Sequence, residues 1–165
     1  MHRLILMRHG DAQRDSASGD DFDRPLSNQG CTESAAMGRH LADMGLIPTL
    51  SLVSSALRTR QTWAALVESF PGAEVRFEDS LYLADPDTVR DLGLAAVRDQ
   101  DCVILIGHNP GLQALAVSLL VQASAPVFAI SRAETGFPTG AAAVFFVDSD
   151  LNPTYDGVFY PRDIR

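Results

Sequence analysis

Leu4-Ile5-Leu6-Met7-Arg8-His9-Gly10-Asp11 begins with four apolar residues, too few for a helix and suited to a buried strand. The strand runs into Arg8-His9 and stops at Gly10, where a sharp turn with positive φ is the expectation. This layout puts a cation and an imidazole at the carboxyl end of a core strand. In open α/β sheets ligands bind in that crevice. An imidazole is a nucleophile near neutral pH, and a guanidinium matches phosphate oxygens bidentately. Arg-His-Gly alone is also what a strand that merely ends in polar residues would show, so the remainder of the chain has to decide.

Moving outward, residues 12–25 are polar and rich in Asp and Ser, and read as a loop on the rim of a site. Ser27 is placed to cap a helix over 28–44, ended by Gly45, with Ala35, Ala36, His40, Leu41 and Met44 at helical spacing. Pro48 separates it from a second strand, 50–54. Ser55 has the character of an N-cap for a helix over 56–70, stopped by Pro71-Gly72. Arg58 then lies in a first helical turn, where a cation opposes the macrodipole. A solvated surface Arg or an Arg sharing an anion with free helix N–H groups would account for it. A short strand, 74–77, and a loop through Leu81-Tyr82-Leu83 follow. Asp85-Pro86 opens a third helix reaching to about Arg98. Residues 102–106 form the most hydrophobic segment and read as a central strand. It ends in Gly107-His108-Asn109-Pro110-Gly111, with Asn109 as a cap for a helix over 111–121. His108 therefore occupies the position on its strand that His9 occupies on the first. Residues 141–147 and 155–160 read as an antiparallel pair at a sheet edge, joined by a turn over 148–152. Alternating strands and helices predict a three-layer α/β/α sandwich with a mostly parallel sheet and an antiparallel edge strand.

The 165 residues fit one domain, 1–165, able to bury about 70% of its unfolded surface without staples. With 13 Lys+Arg against 21 Asp+Glu the formal charge is -8, which argues against nucleic acid or an anionic membrane surface as partner. Any anion site must then rest on a local basic cluster. Cys31 and Cys102 have neither metal-site spacing nor a disulfide framework, and the amino end lacks the apolar region of a signal peptide. No stretch reaches the roughly 20 apolar residues of a membrane span. A soluble cytoplasmic protein is the expectation.

Arg8-His9-Gly10-Asp11, Arg24-Pro25-Leu26-Ser27 with Gly30, Ser54-Ser55-Ala56-Leu57-Arg58 with Gln61-Thr62, Gly107-His108-Asn109-Pro110 and Phe137-Pro138-Thr139-Gly140 together carry a resemblance. In this order they resemble the histidine phosphatase superfamily, phosphoglycerate mutase-like in fold, and within it the small SixA-type phosphohistidine phosphatases. The resemblance spans residues 4–147. It implies that His9 is the nucleophile that becomes phosphorylated and that Arg8, Arg58 and His108 form the phosphate pocket, with His108 protonated as a donor. No metal or other cofactor is implied. The substrate would be a phosphorylated protein or a small phosphorylated molecule.

Two departures from larger relatives bear on substrate choice. Acid phosphatases of the superfamily carry an Asp after the second His, where this chain has Asn109, and nothing in 77–87 matches the mutase Glu. Asp11 is a possible substitute acid, and so is Asp85; a turn-forming role explains Asp11 as well. Without an acid, an alkoxide leaves badly, whereas a phosphoramidate nitrogen takes its proton from solvent. This favours phosphohistidine on a protein. The competing readings are a small-molecule phosphomonoesterase using Asp11 or Asp85, and a non-catalytic phosphate-recognition module. A metal site built on His9, His108 and Asp11 carries little weight, because the two Arg would repel a divalent cation.

Overall fold

Along β1 (His2–Arg8) successive side chains point to opposite faces of the strand. Leu4 and Leu6 enter one apolar core while Ile5 and Met7 enter another, and all four are fully buried. A strand buried on both faces belongs inside a sheet covered by helices on both sides. The computed structural model, which describes residues 2–164, shows that arrangement. The remaining strands are β2 (Leu50–Ser54), β3 (Glu74–Glu78), β4 (Cys102–Gly107), β5 (Ala142–Val147) and β6 (Pro153–Phe159). The helices are α1 (Asn28–Asp43), α2 (Leu57–Leu66), α3 (Pro86–Val97), α4 (Gly111–Gln122) and α5 (Val127–Thr135).

The six strands form one sheet in the order β3-β2-β4-β1-β5-β6. β1 through β4 are mutually parallel, and β5 runs antiparallel to both β1 and β6. The opposed strand is thus one in from the edge. β4 is the central strand expected from its hydrophobicity, buried at every position. Met37, Leu41, Trp63, Leu66 and Phe70 bring α1, α2 and the turn after α2 onto the face shown by Ile5, Met7 and Ile104. Val89, Leu94, Leu112, Leu115, Leu119 and Ala133 bring α3, α4 and α5 onto the other face. The result is the three-layer α/β/α sandwich.

Several local expectations need correction. The buried face of α1 is Gly30, Ser34, Met37, Gly38 and Leu41, whereas Met44 is exposed. Small residues set this face because α1 lies close to its neighbours. Ser55 does not cap α2: its hydroxyl donates to Asp79, and Ala56 at the cap position makes no side-chain bond. α5 has no counterpart in the sequence reading. Its inward residues are Ala129 and Ala133, while Val127 and Phe128 face outward, so its apolar pattern is inverted relative to its burial. Gly10 has no positive φ. A Cβ there would lie 2.6 Å from Ser34 Oγ and 2.8 Å from the Gly30 carbonyl oxygen, so close approach to α1 is what excludes a side chain. Ser27, Asp85 and Gly45 do act as expected, the first two accepting from Gly30 N–H and Thr88 N–H and the third adopting φ +77°.

Gly30 and Gly38, both within α1, separate helix propensity from packing. Ala in place of Gly gains about 1 kcal/mol in a helix interior. At Gly30 a new Cβ would sit 2.1 Å from the backbone oxygen of Asp11, whereas at Gly38 the nearest atoms belong to the side chains of Leu66 and Ser69. Gly30→Ala is expected to destabilise by roughly 1–3 kcal/mol despite the propensity gain, through overpacking. Gly38→Ala should stay within about 1 kcal/mol of the parent. Urea unfolding midpoints of the two variants decide the order.

Candidate active site

Parallel register pairs Arg8 with Gly107, so the next residue on each strand, His9 and His108, leaves the sheet beside the other. α1 follows β1 onto one face and α4 follows β4 onto the opposite face. The crevice between these strand ends is therefore a topological switch point, the usual ligand position in an open α/β sheet. The two ring centroids are 5.3 Å apart. His9 N–H donates to the Gly107 carbonyl, and Gly140 N–H reaches the Arg8 and His9 carbonyls from a φ of +80°, a conformation that favours Gly.

His9 Nδ1 lies 2.7 Å from the Gly10 carbonyl oxygen. A carbonyl only accepts, so Nδ1 carries the proton and Nε2 keeps its lone pair. Burial is the main reason that the His9 pKa falls to about 4, and the Arg58, Arg8 and Arg24 charges add to it against the opposing Gly10 bond. His9 is consequently neutral at pH 7. The same holds for His108, lowered to about 3 by burial first and then by His9 and Arg58. Its Nδ1 accepts from Arg58 Nη2 at 3.2 Å, so the proton lies on Nε2, which donates to Ser54 Oγ at 2.8 Å. Where protonation of His108 was expected, the ring of the free protein is instead neutral, because it is desolvated beside other positive groups.

Arg58 is buried in the first turn of α2, where the helix dipole opposes it. Asp21 compensates. Its carbonyl accepts from Arg58 Nη1 at 2.8 Å and its Oδ2 from Nη2 at 3.0 Å. The same carboxylate accepts from Tyr82 Oη at 2.6 Å and Arg24 Nη1 at 3.0 Å. The Tyr82 hydroxyl, then the two Arg, hold the Asp21 carboxyl well below the usual carboxylate range against the effect of burial. Arg8 is held differently: its Nη1 donates to the Phe137 carbonyl, which also accepts from Asn109 Nδ2. Burial and the nearby Arg58 charge lower the Arg8 pKa, a sign that the two cations repel.

These groups line a cavity of about 410 Å³ that contains Arg8, His9, Arg58, His108, Asp11 and Asn109. Asp85 is not among its lining residues and is occupied as the α3 cap. Asp11 stands at the rim with Oδ2 accepting from Ser27 Oγ at 2.6 Å. Asn109 is tied at both ends of its amide, donating to Phe137 and accepting from Gln113 N–H. Sequence reasoning missed Asp21, Arg24 and Tyr82, which meet only through the folded loop. It also gave Ser54 no role in the site, and did not anticipate Thr62, whose Oγ1 accepts the Gly10 N–H at 3.0 Å. The one available signal was that Arg24, Ser54 and Thr62 fall inside the quoted motifs.

Comparison with known proteins agrees with this geometry. Residues 4–85 match the model of the histidine phosphatase superfamily, branch 1. An uncharacterized chloroplastic protein of Arabidopsis thaliana is 36% identical over 132 residues, 74% of this chain, and this chain spans 60% of that protein's length. The phosphohistidine phosphatase SixA of Escherichia coli is 28% identical over 99% of this chain and 96% of its own. A crystal structure of a candidate phosphohistidine phosphatase SixA from Agrobacterium tumefaciens superposes with a TM-score of 0.84 at 29% identity, covering 97% of this chain and 98% of the other. With two strand-end histidines and two arginines around one cavity, on this fold and with these relatives, the chain belongs to the histidine phosphatase superfamily.

Proposed function

We propose that the chain is a phosphatase that accepts a phosphoryl group on His9 Nε2 and passes it to water, with phosphohistidine on a protein as its substrate. The observation that carries this reading is the Gly10 carbonyl on His9 Nδ1, which leaves Nε2 unprotonated inside a ring of cations. A module that only bound phosphate would gain nothing from a desolvated lone pair. The similarity to the Escherichia coli phosphohistidine phosphatase supports the choice of substrate.

The chemistry divides into two displacements. In the first, the Nε2 lone pair attacks phosphorus and the bond from phosphorus to the substrate imidazole breaks. That imidazole leaves neutral when its other nitrogen is protonated, so no acid on the enzyme is needed. His9 keeps its Nδ1 proton against Gly10 and becomes a phosphorylated imidazolium. In the second, water attacks phosphorus, the P–Nε2 bond breaks, and the ring returns to its Nδ1–H form as the water's proton goes to solvent. Arg8 and Arg58 stabilise charge on the equatorial oxygens throughout. An anion in the cavity also offsets the desolvation that keeps His108 neutral, so His108 Nδ1 can take a proton and donate to it. Asp21 is the carboxylate that satisfies Arg58 and Arg24 in the resting site and yields them to phosphate.

A phosphomonoesterase with a carboxylate acid is the second reading, and Asp11 is the group that favours it because it lies in the cavity. Asp85 falls away. The two readings part on leaving group: a protonatable phosphoramidate needs no acid, whereas an alkyl ester does.

Label from a phosphohistidine protein should be trapped on His9 after rapid base quench, and His9→Ala should abolish both label and turnover. Retained hydrolysis in His9→Ala would overturn the mechanism, and Asp11→Asn with a large loss on phosphohistidine would transfer weight to the second reading. Arg8→Ala and Arg58→Ala should each lower kcat/KM by about 10²–10³, by analogy with loss of a positioned oxyanion donor. Unchanged tungstate inhibition in both would refute the cradle. In ¹⁵N NMR titrations of the free protein, His9 should titrate near pH 4 and His108 near pH 3. An ordinary histidine would do so near 6.5. Because the unfolded chain then binds more protons, stability should fall as pH drops from about 6.5 toward 3. Midpoints near 6.5 for both rings would show that burial does not keep them neutral.

A further inference from the structure

A second cavity, about 740 Å³ in volume, opens from the first and shares Arg8 and Asn109 with it. It runs between the carboxyl end of α5 and the segment after β6, and Arg132 and Arg162 line it together with Tyr160. No Asp or Glu lines it. In a chain of net charge -8, the groove is lined by three arginines and, among the described residues, by no carboxylate, and Asp163 just outside it pairs with Arg132 alone, which leaves Arg162 as the free cation. Arg132 is fixed, its guanidinium carbon 3.9 Å from the Tyr160 ring centroid and its Nη2 donating to Asp163. Tyr160 is itself anchored, its hydroxyl donating to the Gly136 carbonyl. Arg162 is exposed and has no carboxylate partner among the described residues. Four residues before Arg132, on the same face of α5, Phe128 stands 70% exposed. Large apolar side chains left in solvent on a helix face beside a charged groove are marks of a recognition surface.

We infer that this groove, with the Arg132–Phe128 face of α5 above it, holds the acidic polypeptide segment that carries the phosphorylated side chain into the catalytic cavity. The inference rests on the phosphatase reading above and adds to it the chemistry of the sequence around the phosphorylated residue. The argument for a polypeptide with carboxylates near the phosphorylated position is charge complementarity. Arg8 serves the phosphoryl group at the junction of the two cavities. Arg132 and Arg162 line only the second cavity, where a substrate has to extend past its phosphorylated ring to reach them. Phe128 offers apolar surface to the intervening side chains, while the buried Tyr160 ring serves as the floor on which Arg132 and Arg162 rest. The interaction is electrostatic at an exposed surface, so it acts on encounter and KM and is weakened by salt.

The test compares three substrates: phosphoramidate, a phosphohistidine peptide flanked by Asp and Glu, and the same peptide flanked by Ser and Lys. Arg162→Glu, Arg132→Glu and Phe128→Ser are the variants, and none of them touches the catalytic cavity. The wild-type protein should prefer the acid-flanked peptide at least tenfold in kcat/KM, with the preference falling as salt rises. Arg162→Glu should remove most of that preference through KM, while turnover of phosphoramidate stays within about twofold of the parent. Phe128→Ser should raise KM for both peptides and leave phosphoramidate alone. If Arg132→Glu weakens folding through its contacts with Tyr160 and Asp163, the exposed Arg162 and Phe128 variants still decide. Equal kcat/KM for the two peptides in the wild-type protein, or an Arg162→Glu loss that is the same on phosphoramidate, overturns the groove assignment and leaves the phosphatase reading intact. Failure of all three substrates with no label on His9 overturns that reading, and the groove assignment with it.

Discussion

The parallel pairing of β1 with β4 is the constraint on which the site depends. Once Arg8 is opposite Gly107, the two histidines one residue further on have no choice but to leave the sheet together. A slip by one residue would send Leu4 and Leu6 into the core that Ile5 and Met7 fill, and the cost is the side-chain packing lost on both faces. Hydrophobic packing far from the crevice therefore fixes the distance between the rings. The turns that follow each strand finish the job with backbone groups. Gly107 receives His9 N–H, Gly140 holds the Arg8 and His9 carbonyls, and Phe137 receives Arg8. None of these contacts asks much of a side chain, which is why the segment 137–140 matters through its path.

The cost of such a site is electrostatic. Arg8 and Arg58 share a small space with two rings whose protonation they oppose, and burial deprives all four of water. The resting protein relieves this with one carboxylate. Asp21 brings negative charge to Arg58 and Arg24 and is steadied by Tyr82, so the loop over 12–25 does more than form a rim. The pair is one-sided: Arg58 is buried and Asp21 is exposed, so it is loss of the carboxylate that leaves a buried charge uncompensated. In the proposed reaction a phosphate dianion would meet the same need with more charge, and the loop's carboxylate is exposed enough to give way.

What could be read in the sequence follows from which signals are local. The strands declared themselves because a buried strand must be apolar on both faces and short. The caps at Ser27 and Asp85 declared themselves because the bonded N–H lies three residues on. Arg8, His9 and His108 stood out by their positions at strand ends, whereas the position of Arg58 left a solvated side chain open and only the resemblance put it in a pocket with them. α5 was not legible, because its fully buried residues are alanines and two of its large apolar residues, Val127 and Phe128, face outward. The face of α1 was misplaced for a related reason: Ser34 and Gly38 are buried for lack of room, a fact about neighbouring elements. Asp21, Arg24 and Tyr82 were out of reach because Asp21 and Tyr82 stand 61 positions apart and meet across a loop with no periodicity. Ser54 could have been given its role, since a polar residue at the end of a buried strand needs a partner, and His108 sits at the end of a neighbouring strand.

Asn109 links the chemistry to the fold. The sequence shows an amide where some relatives carry a carboxylic acid, and that alone reads as a lost function. In the folded chain the amide is a brace: one end holds the Phe137 carbonyl that also holds Arg8, and the other receives Gln113 N–H at the start of α4. An acid at this position could not donate to Phe137 once ionised, and its charge would enter the ring of cations around His9. The brace and the acid are alternatives at one site. A chain that keeps the brace has no carboxylic acid at this position, so in the proposed reaction a proton for the leaving atom has to come from Asp11 or from the substrate itself. The tautomer of His9 supplies the lone pair that the proposed phosphatase reaction needs, and the amide at 109 keeps a further negative charge out of the ring of cations around it.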